Sequence, residues 1–156
     1  MDEQFLKYAI EQAKKSVAQG GFPAGAIVVK NREIIGKGVS IGNKLNDPTS
    51  HGEIAAIRSA CESLLTTGLS GSVLYASMQP CLMCFGASMW SAISKIVFAC
   101  SKSKVSAEYY GGDYDLSAIN KKLTRPIELV HFTALEDESL KIVRKWEKTL
   151  SAIQKP

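Results

Sequence analysis

Two short segments of the chain contain residue types that bind metal ions. His51 and Glu53 are separated by one residue, and Pro80 directly precedes the first member of the pair Cys81 and Cys84. One imidazole and two thiolates supply three ligands to a tetrahedral zinc ion and leave its fourth position for water. Each segment is predicted to open a helix, and the positive end of a helix dipole favours the thiolate form of cysteine. These residue types therefore suit a catalytic zinc site.

Glu53 has two interpretations. Ser50 lies three residues before it, which matches the S-x-x-E capping box of a helix start. A carboxylate close to a metal ligand can instead act as a general acid and base, because zinc lowers the pKa of a bound water to about 7. Both segments occur together, in this order and at predicted helix starts, which favours the catalytic interpretation.

The cysteine pair has two further explanations. A C-x-x-C pair can be a redox motif, but His51 would then have no role. A structural zinc module normally fills the fourth position with a protein ligand, and the sequence offers only three obvious ligands besides Glu53. The other cysteines, Cys61 and Cys100, lie in apolar surroundings and are predicted to be core residues.

Length and composition indicate a single globular domain over residues 1–156. Hydrophobic residues make up 46% of the chain and charged residues 22%, which excludes disorder and a disulfide-rich scaffold. No segment reaches the roughly 18 apolar residues of a membrane span, and the first residues lack the layout of a signal peptide. We therefore expect a cytoplasmic protein without a membrane partner. The net charge of +4 permits an anionic partner without requiring one.

Hydrophobic periodicity predicts an α/β framework. Helices are predicted over 2–19, 49–65, 80–93 and 136–152, and strands over 24–29, 33–39, 72–77, 96–99 and 127–132. Because helices alternate with the later strands, we predict a three-layer α-β-α sandwich around a five-stranded mixed sheet. His51 and Cys81 are far apart in sequence, so we expect adjacent parallel strands, each followed by a helix, to bring the two helix starts together.

The pattern H-x-E followed by P-C-x-x-C resembles the cytidine deaminase superfamily, especially its small bacterial guanine deaminases, fungal-type cytosine deaminases and tRNA adenosine deaminases. The resemblance covers most of the chain, and further similar segments are Pro23-Ala24-Gly25-Ala26, Asn46-Asp47-Pro48-Thr49 and Gly86-Ala87. It implies hydrolytic deamination with one Zn²⁺ per chain, water as co-substrate, and a homodimer. It also implies that His51, Cys81 and Cys84 bind zinc, that Glu53 shuttles protons, and that the Cys81 N–H helps to hold the zinc-bound oxygen.

The resemblance also predicts contacts with the substrate. The family usually has an asparagine eleven residues before the zinc histidine, where this chain has Ser40, so either Ser40 or the nearby Asn43 is expected to contact the ring. Gly52 and Pro80, which adjoin the metal ligands, are included in the predicted substrate site. Asp113 lies in a segment that resembles the part of guanine deaminases that closes over the base, although a solvated turn is an equal alternative.

Two further departures from the family pattern bear on the substrate. Gln79 replaces the usual acid before the proline, and glycine follows His51 where alanine is more frequent, as in cytosine deaminases of the yeast type. Aromatic residues that could stack on a base are Phe22, Trp90 and the tyrosines, although each is also a candidate for the core or an interface.

The resemblance leaves several substrates open. A free nucleobase, with guanine first and cytosine second, or a nucleoside is the leading expectation, and a tRNA adenosine deaminase is the alternative. Four basic residues fall on one face of the last predicted helix and could contact phosphates: Lys141, Arg144, Lys145 and Lys148. Acidic residues lie nearby, so this face is also explained as an ordinary solvated surface.

Overall fold

A computed structural model describes residues 1–153 and contains a five-stranded sheet between two layers of helices. The strands are β1 (Gly25–Lys30), β2 (Glu33–Val39), β3 (Val73–Met78), β4 (Lys95–Cys100) and β5 (Glu128–His131). The helices are α1 (Asp2–Ala18), α2 (Gly42–Leu45), α3 (Gly52–Leu64), α4 (Leu82–Trp90), α5 (Leu116–Asn120) and α6 (Glu136–Ile153). This architecture confirms the predicted α/β sandwich.

The sheet is mixed, with the strand order β2-β1-β3-β4-β5. Strand β1 pairs antiparallel with both β2 and β3, whereas β3, β4 and β5 are parallel. Strands β2 and β3, which precede the two helices of the candidate metal site, therefore run in the same direction. They are separated by β1, so the expectation that they would be adjacent is wrong.

Alternating side chains of the central strands bury two separate apolar faces. On β1, Ala26 and Val28 pack into a core that includes residues of α3 and α4. Ile27 and Val29 point the other way and pack against α1. The same alternation on β3 and β4 gives strands that are buried on both sides, as expected for a sheet covered by helices.

Close packing between β2 and α3 depends on a glycine. A Cβ atom at Gly38 would lie 1.9 Å from the carbonyl oxygen of Gly52 and 2.4 Å from the backbone nitrogen of Ala56. No side chain can occupy that space, so the absence of one at Gly38 lets the start of α3 rest directly on the sheet.

Three local features differ from the sequence predictions. Helix α3 begins at Gly52 with His51 as its N-cap residue and no side-chain cap, so the proposed capping box of Ser50 and Glu53 is wrong. The predicted loop over 40–48 contains the short helix α2. Helix α4 begins at Leu82, two residues after Pro80, because Cys81 has an extended backbone conformation and serves as its N-cap residue.

Within residues 1–153, none of the helices combines the length and the apolar composition that a membrane crossing requires.

Candidate functional site

The two helix starts bring three potential metal ligands together. His51 is the N-cap residue of α3, Cys81 is the N-cap residue of α4, and Cys84 lies in the first turn of α4. The His51 Nδ1 atom is 3.5 Å from the Cys81 Sγ atom and 3.6 Å from the Cys84 Sγ atom. Their ligand atoms all lie within 4.8 Å of one another.

This geometry fits a zinc ion. A tetrahedral zinc ion, with bonds of about 2.0 Å to nitrogen and about 2.3 Å to sulfur, separates these two ligand atoms by about 3.6 Å. The observed nitrogen–sulfur distances match that value, and the donor set of one imidazole and two thiols is one that zinc prefers. With three protein ligands, a fourth coordination position is left for a small molecule.

The pKa values of the two thiols are shifted in opposite directions. The hydrogen bond from Cys84, together with that from His51, lowers the pKa of Cys81 to about 4 despite its burial. The pKa of Cys84 is raised, first by its hydrogen bond to Cys81 and then by burial. Cys81 is therefore the thiolate of the metal-free pair, and zinc binding requires Cys84 to release its proton as well.

Glu53 lies in the first turn of α3, where its side chain is buried beside the three candidate ligands. Burial raises the pKa of Glu53 to about 7, with a further contribution from the negative charge of Cys81. A carboxyl group with a pKa close to neutrality can both accept and release a proton, which is the property that a general acid and base requires.

A small cavity opens directly onto these groups. Its volume is about 90 Å³, and it lies between the ends of β1 and β3 and a segment that follows β4. The residues that line it are Phe22, Ala24, Ser40, His51, Glu53, Met78, Gln79, Cys81, Tyr109 and Tyr110. Aromatic rings therefore share one small cavity with the Glu53 carboxyl group and the candidate metal site.

Tyr109 and Tyr110 form one wall of the cavity, called the far wall here, and hydrogen bonds to Gln79 hold it in place. Tyr110 donates its hydroxyl hydrogen to the Gln79 carbonyl oxygen over 2.8 Å, and the Lys102 backbone N–H donates to the Gln79 side-chain oxygen over 3.1 Å. Gln79 was expected only as a departure from the family pattern, and Tyr110 only as one of several tyrosines that could stack on a base. No local sequence pattern encodes the contact between these two residues, which are 31 positions apart.

Ser40 lines the cavity, whereas Asn43 does not. The backbone of Ser40 is held on both sides by Ser16, whose hydroxyl accepts from the Ser40 N–H and donates to the Ser40 carbonyl oxygen. Asn43 instead donates its side-chain amide to the Gly20 carbonyl oxygen and lines an outer groove. Asn43 therefore lies outside the cavity, and its expected contact with the ring stays a prediction.

The structure also places Asp113 outside the cavity. Its side chain is 92% exposed and forms an ion pair with Lys102 at 2.9 Å, which also lowers the pKa of Asp113. Gly52 and Pro80 do not line the cavity either, although both adjoin residues that do. An ion pair engages Asp113 at the surface, and close backbone packing against Gly25 engages Gly52.

Of the aromatic residues expected to stack on a base, Phe22 and the two tyrosines of the far wall line the cavity. The Phe22 ring packs edge-on against Tyr109 and Trp146, with ring centres 5.2 Å and 5.1 Å apart. Trp90 lies at the opposite end of α4 and is 83% exposed. Its indole is therefore not part of the site.

The fold and the site define a zinc-dependent deaminase, a hydrolase that acts on C–N bonds. Residues 1–100 match the family described as the cytidine and deoxycytidylate deaminase zinc-binding region. The chain belongs to this family, which confirms the superfamily that the sequence motifs resemble.

Similar proteins act on two kinds of substrate. A tRNA-specific adenosine deaminase of Aquifex aeolicus is 43% identical over 102 residues, which cover 65% of this chain and 68% of that protein. A guanine deaminase of Bacillus subtilis is 41% identical over 127 residues, or 81% of this chain and 79% of that protein. A solved structure from a study of A-to-I editing by tRNA:A34 deaminases has a TM-score of 0.77 at 28% identity and covers 90% of this chain and 99% of its own.

Proposed function

We propose that this protein hydrolytically deaminates a free nucleobase, with guanine as the first candidate. The observation that carries the proposal is the position of Glu53 and two of the candidate zinc ligands, His51 and Cys81, in the lining of a small cavity walled by aromatic rings. A planar heterocycle is the type of molecule that aromatic walls bind by stacking.

In the proposed mechanism, His51, Cys81 and Cys84 hold the zinc ion. A bound zinc ion polarises water and lowers its pKa to about 7, which makes a nucleophile accessible at neutral pH. Glu53 carries two protons in turn: its carboxylate accepts the first from water and its carboxylic acid delivers that proton to the ring nitrogen. The carboxylate then accepts the second from the hydroxyl group newly bonded to the ring carbon and delivers it to the departing amine. The ring gains a carbonyl oxygen and ammonia leaves, so one water is consumed for each amino group released.

The remaining cavity residues orient the ring. Phe22 and Tyr110 lie at the cavity wall, and either ring offers a face or an edge for aromatic contact. Ser40 presents a hydroxyl group at the position where the family usually has an asparagine amide, and a hydroxyl can both donate and accept a hydrogen bond. We propose that Ser40 replaces the asparagine as a ring contact.

Sequence identity over the longer alignments favours guanine over tRNA. The match to the guanine deaminase is 41% identical over 127 of the 156 residues, and every continuous stretch of that length includes residues 30–127. The far wall of the cavity, with Tyr109 and Tyr110, therefore lies inside the region of similarity. A tRNA(adenine(34)) deaminase of Arabidopsis thaliana aligns over 137 residues but is only 28% identical.

Deamination of tRNA adenosine is the second candidate, because tRNA-specific deaminases are among the relatives. The surface next to the cavity argues against it. An outer groove shares Phe22, Ser40 and His51 with the cavity, and of the described residues that line this groove the only charged one is Asp47. A groove that follows a polynucleotide backbone is normally basic, since it must neutralise phosphates.

The basic face of α6 gives only weak support to tRNA as the substrate. Arg144 is engaged by Glu147 at 3.0 Å and by the Lys104 carbonyl oxygen at 2.8 Å, which leaves Lys141, Lys145 and Lys148 as its exposed charges. Glu147 in turn accepts a hydrogen bond from the hydroxyl group of Tyr109. One of the four basic residues therefore stabilises the wall of the cavity, and we assign the rest to an ordinary solvated face.

We further propose that the protein is a homodimer that associates through α4. The helix exposes Leu82, Met83 and Trp90, and residues 79–94 contain no charged side chain. A two-fold interface brings the same surface of both copies together, so an uncharged helix avoids the like-charge repulsion that self-association would otherwise create.

Ammonia release tests the proposed substrate. The purified, zinc-loaded protein is incubated with guanine, cytosine, isocytosine, adenine, their nucleosides and tRNA, with the Glu53→Gln variant as a blank. We expect guanine to give the highest kcat/KM and the variant to give no release above background. Reaction with tRNA alone would contradict the proposal for a free base and favour the second candidate.

A further inference from the structure

We propose that Tyr114 is a positioning residue that fixes the start of the helix carrying both cysteine ligands. The inference rests on the proposed metal site and concerns a residue that does not line the cavity. Its hydroxyl oxygen accepts a hydrogen bond from the backbone N–H of Leu82 over 2.8 Å, across 32 positions of sequence. Leu82 directly follows Cys81 and is the first residue of α4.

The start of α4 needs such an acceptor. Backbone N–H groups in the first turn of a helix have no partner within the helix, and an N-cap side chain usually supplies one. Cys81 is the N-cap residue here, and its side chain makes no capping hydrogen bond. Its sulfur faces His51 instead. Tyr114 thus satisfies, from a distant segment, one of the N–H groups at the start of α4 that have no partner within the helix.

The hydrogen bond also controls the geometry of Cys81. The peptide group that joins Cys81 to Leu82 contains the N–H that Tyr114 binds, and its orientation sets the ψ angle of Cys81, which is 172°. A fixed ψ angle keeps the Cys81 backbone extended while Leu82 begins the helix that contains Cys84. The two sulfur atoms can then face the same His51 nitrogen, at 3.5 Å and 3.6 Å.

Tyr114 is itself held from several sides. Its ring packs against the core cluster that contains residues of α3 and α4. The Lys102 ammonium group lies 5.2 Å from the ring centre, donates a hydrogen bond to the Tyr114 carbonyl oxygen and forms an ion pair with Asp113. The charge of Asp113, expected to contact the substrate, therefore helps to immobilise the residue next to it.

The Tyr114→Phe variant tests the proposal because it removes only the hydroxyl group. Zinc-loaded protein is mixed with an excess of a chromophoric chelator, and the rate of zinc transfer is recorded at 25 °C. We expect the variant to release zinc about tenfold faster than wild type, as is typical when a residue that orients a metal ligand is lost. We also expect kcat to fall while KM changes little, because the cavity lining is intact.

Tyr8→Phe is the matched control, since Tyr8 is an exposed tyrosine on α1. It should leave zinc release and kcat unchanged. A purely structural role for Tyr114 would lower the melting temperature without changing the zinc release rate or the visible spectrum of the cobalt-substituted protein. That result would overturn the inference, whereas a spectrum that shifts in Tyr114→Phe alone would support it.

A second variant keeps the proposal testable if Tyr114→Phe misfolds. Lys102→Met removes the ion pair with Asp113 and the contact with the Tyr114 ring but keeps the tyrosine hydroxyl. We expect zinc release to accelerate in the same direction by a smaller factor. Unchanged zinc release in both variants would overturn only the role of Tyr114. Wild-type protein that binds no zinc would overturn the proposed metal site as well.

Discussion

Gly52 packs directly against Gly25: a Cβ atom added at Gly52 would lie 2.9 Å from the Gly25 Cα atom. The first residue of α3 therefore touches the first residue of the interior strand β1 through backbone atoms alone. This contact gives a physical reason for glycine after His51, where the family more often has alanine. It also means that the position of the histidine depends on the β1 backbone.

A Gly52→Ala substitution should therefore destabilise the protein and impair the metal site. Overpacking of a close contact costs about 1–3 kcal/mol of unfolding free energy, and any relief by movement of α3 would displace His51. Urea denaturation and zinc titration measure the two effects. Gly68→Ala is the control, because its added Cβ would come no closer than 3.8 Å to a neighbouring side chain. Wild-type stability in Gly52→Ala would contradict this explanation.

Replacement of Glu53 by Gln should abolish turnover and leave zinc bound. The amide has nearly the same shape but cannot shuttle protons, and loss of a general acid and base costs about 10²- to 10⁴-fold in rate. Ammonia release and metal content of the purified variant are the measurements. Glu62→Gln, at an exposed position of the same helix, should behave as wild type. A Glu53→Gln enzyme with full activity would refute the proposed mechanism.

Removal of zinc should abolish activity and lower the melting temperature. A ligand that binds only the folded state stabilises that state, so its loss reduces stability. The protein is treated with a chelator, its zinc content is measured, and activity is assayed before and after metal is restored. Zinc should restore both properties and Mg²⁺ should restore neither, because the site offers nitrogen and sulfur donors. Persisting activity in protein shown to be free of metal would exclude a zinc-dependent reaction.

The proposed dimer predicts a specific effect of Trp90. This indole is 83% exposed in the single chain, so Trp90→Ser should weaken association by removing a large apolar contact. Sedimentation velocity over a range of concentrations should show a dimer for wild type and a shift toward monomer for the variant. Leu45→Ser, at an exposed position on α2, serves as control. A wild-type protein that stays monomeric at a concentration about 100 times a nanomolar dissociation constant would count against the interface.

Acid sensitivity should involve Asp2, which links α1 to the sheet through hydrogen bonds with Tyr75 at 2.7 Å and Lys95 at 3.0 Å. Burial acts to raise the pKa of Asp2, but the hydrogen bonds from Tyr75 and Lys95 outweigh it and lower that pKa. The ionised form is therefore the one that stabilises the fold. Its contribution is complete above the unfolded-state value of about 3.9 and is lost as the pH falls through the lower folded-state pKa.

The Asp2→Asn variant should thus be less stable than wild type at pH 7, by about 1–2 kcal/mol for hydrogen bonds to a charged group. The difference should shrink as the pH falls below about 4. Denaturant unfolding at several pH values measures it. Glu3→Gln, which removes an exposed ion pair with Lys7 in the same helical turn, should change little. A constant difference across the pH range would show that the charge of Asp2 is not responsible.

Much of the fold follows from local sequence patterns. Apolar residues such as Ala26 and Ile27 predicted a strand over 24–29, and the structure confirms it as β1, which is buried on both sides. The motif around Cys81 and Cys84 indicated a metal site, and the structure brings both sulfurs to His51. Such features depend on side-chain periodicity and on the chemistry of individual residues, which a sequence displays directly.

Features that arise from long-range contacts were not predictable in this way. Ser50 and Glu53 fit a local capping rule, but His51 occupies the cap position because the helix starts where its backbone rests on β1. Asp113 has a carboxylate that suits contact with a nucleobase, yet it forms an ion pair with Lys102 at the surface. Asn43 has a suitable amide, which the Gly20 carbonyl oxygen engages. In each case the competing partner is distant in sequence or becomes available only once the chain has folded.

The far wall of the cavity has an evolutionary consequence. The region that matches the family ends at residue 100, and the segment with Tyr109, Tyr110 and Tyr114 begins just after it. The candidate zinc ligands and Glu53 thus lie in the matched stretch, whereas Tyr109 and Tyr110 of the cavity wall lie in the stretch that follows it. A lineage that keeps Lys102 and Tyr114 could vary the wall between them without disturbing the helix that carries the cysteines, and a chimera exchanged over residues 103–113 would reproduce that step in the laboratory.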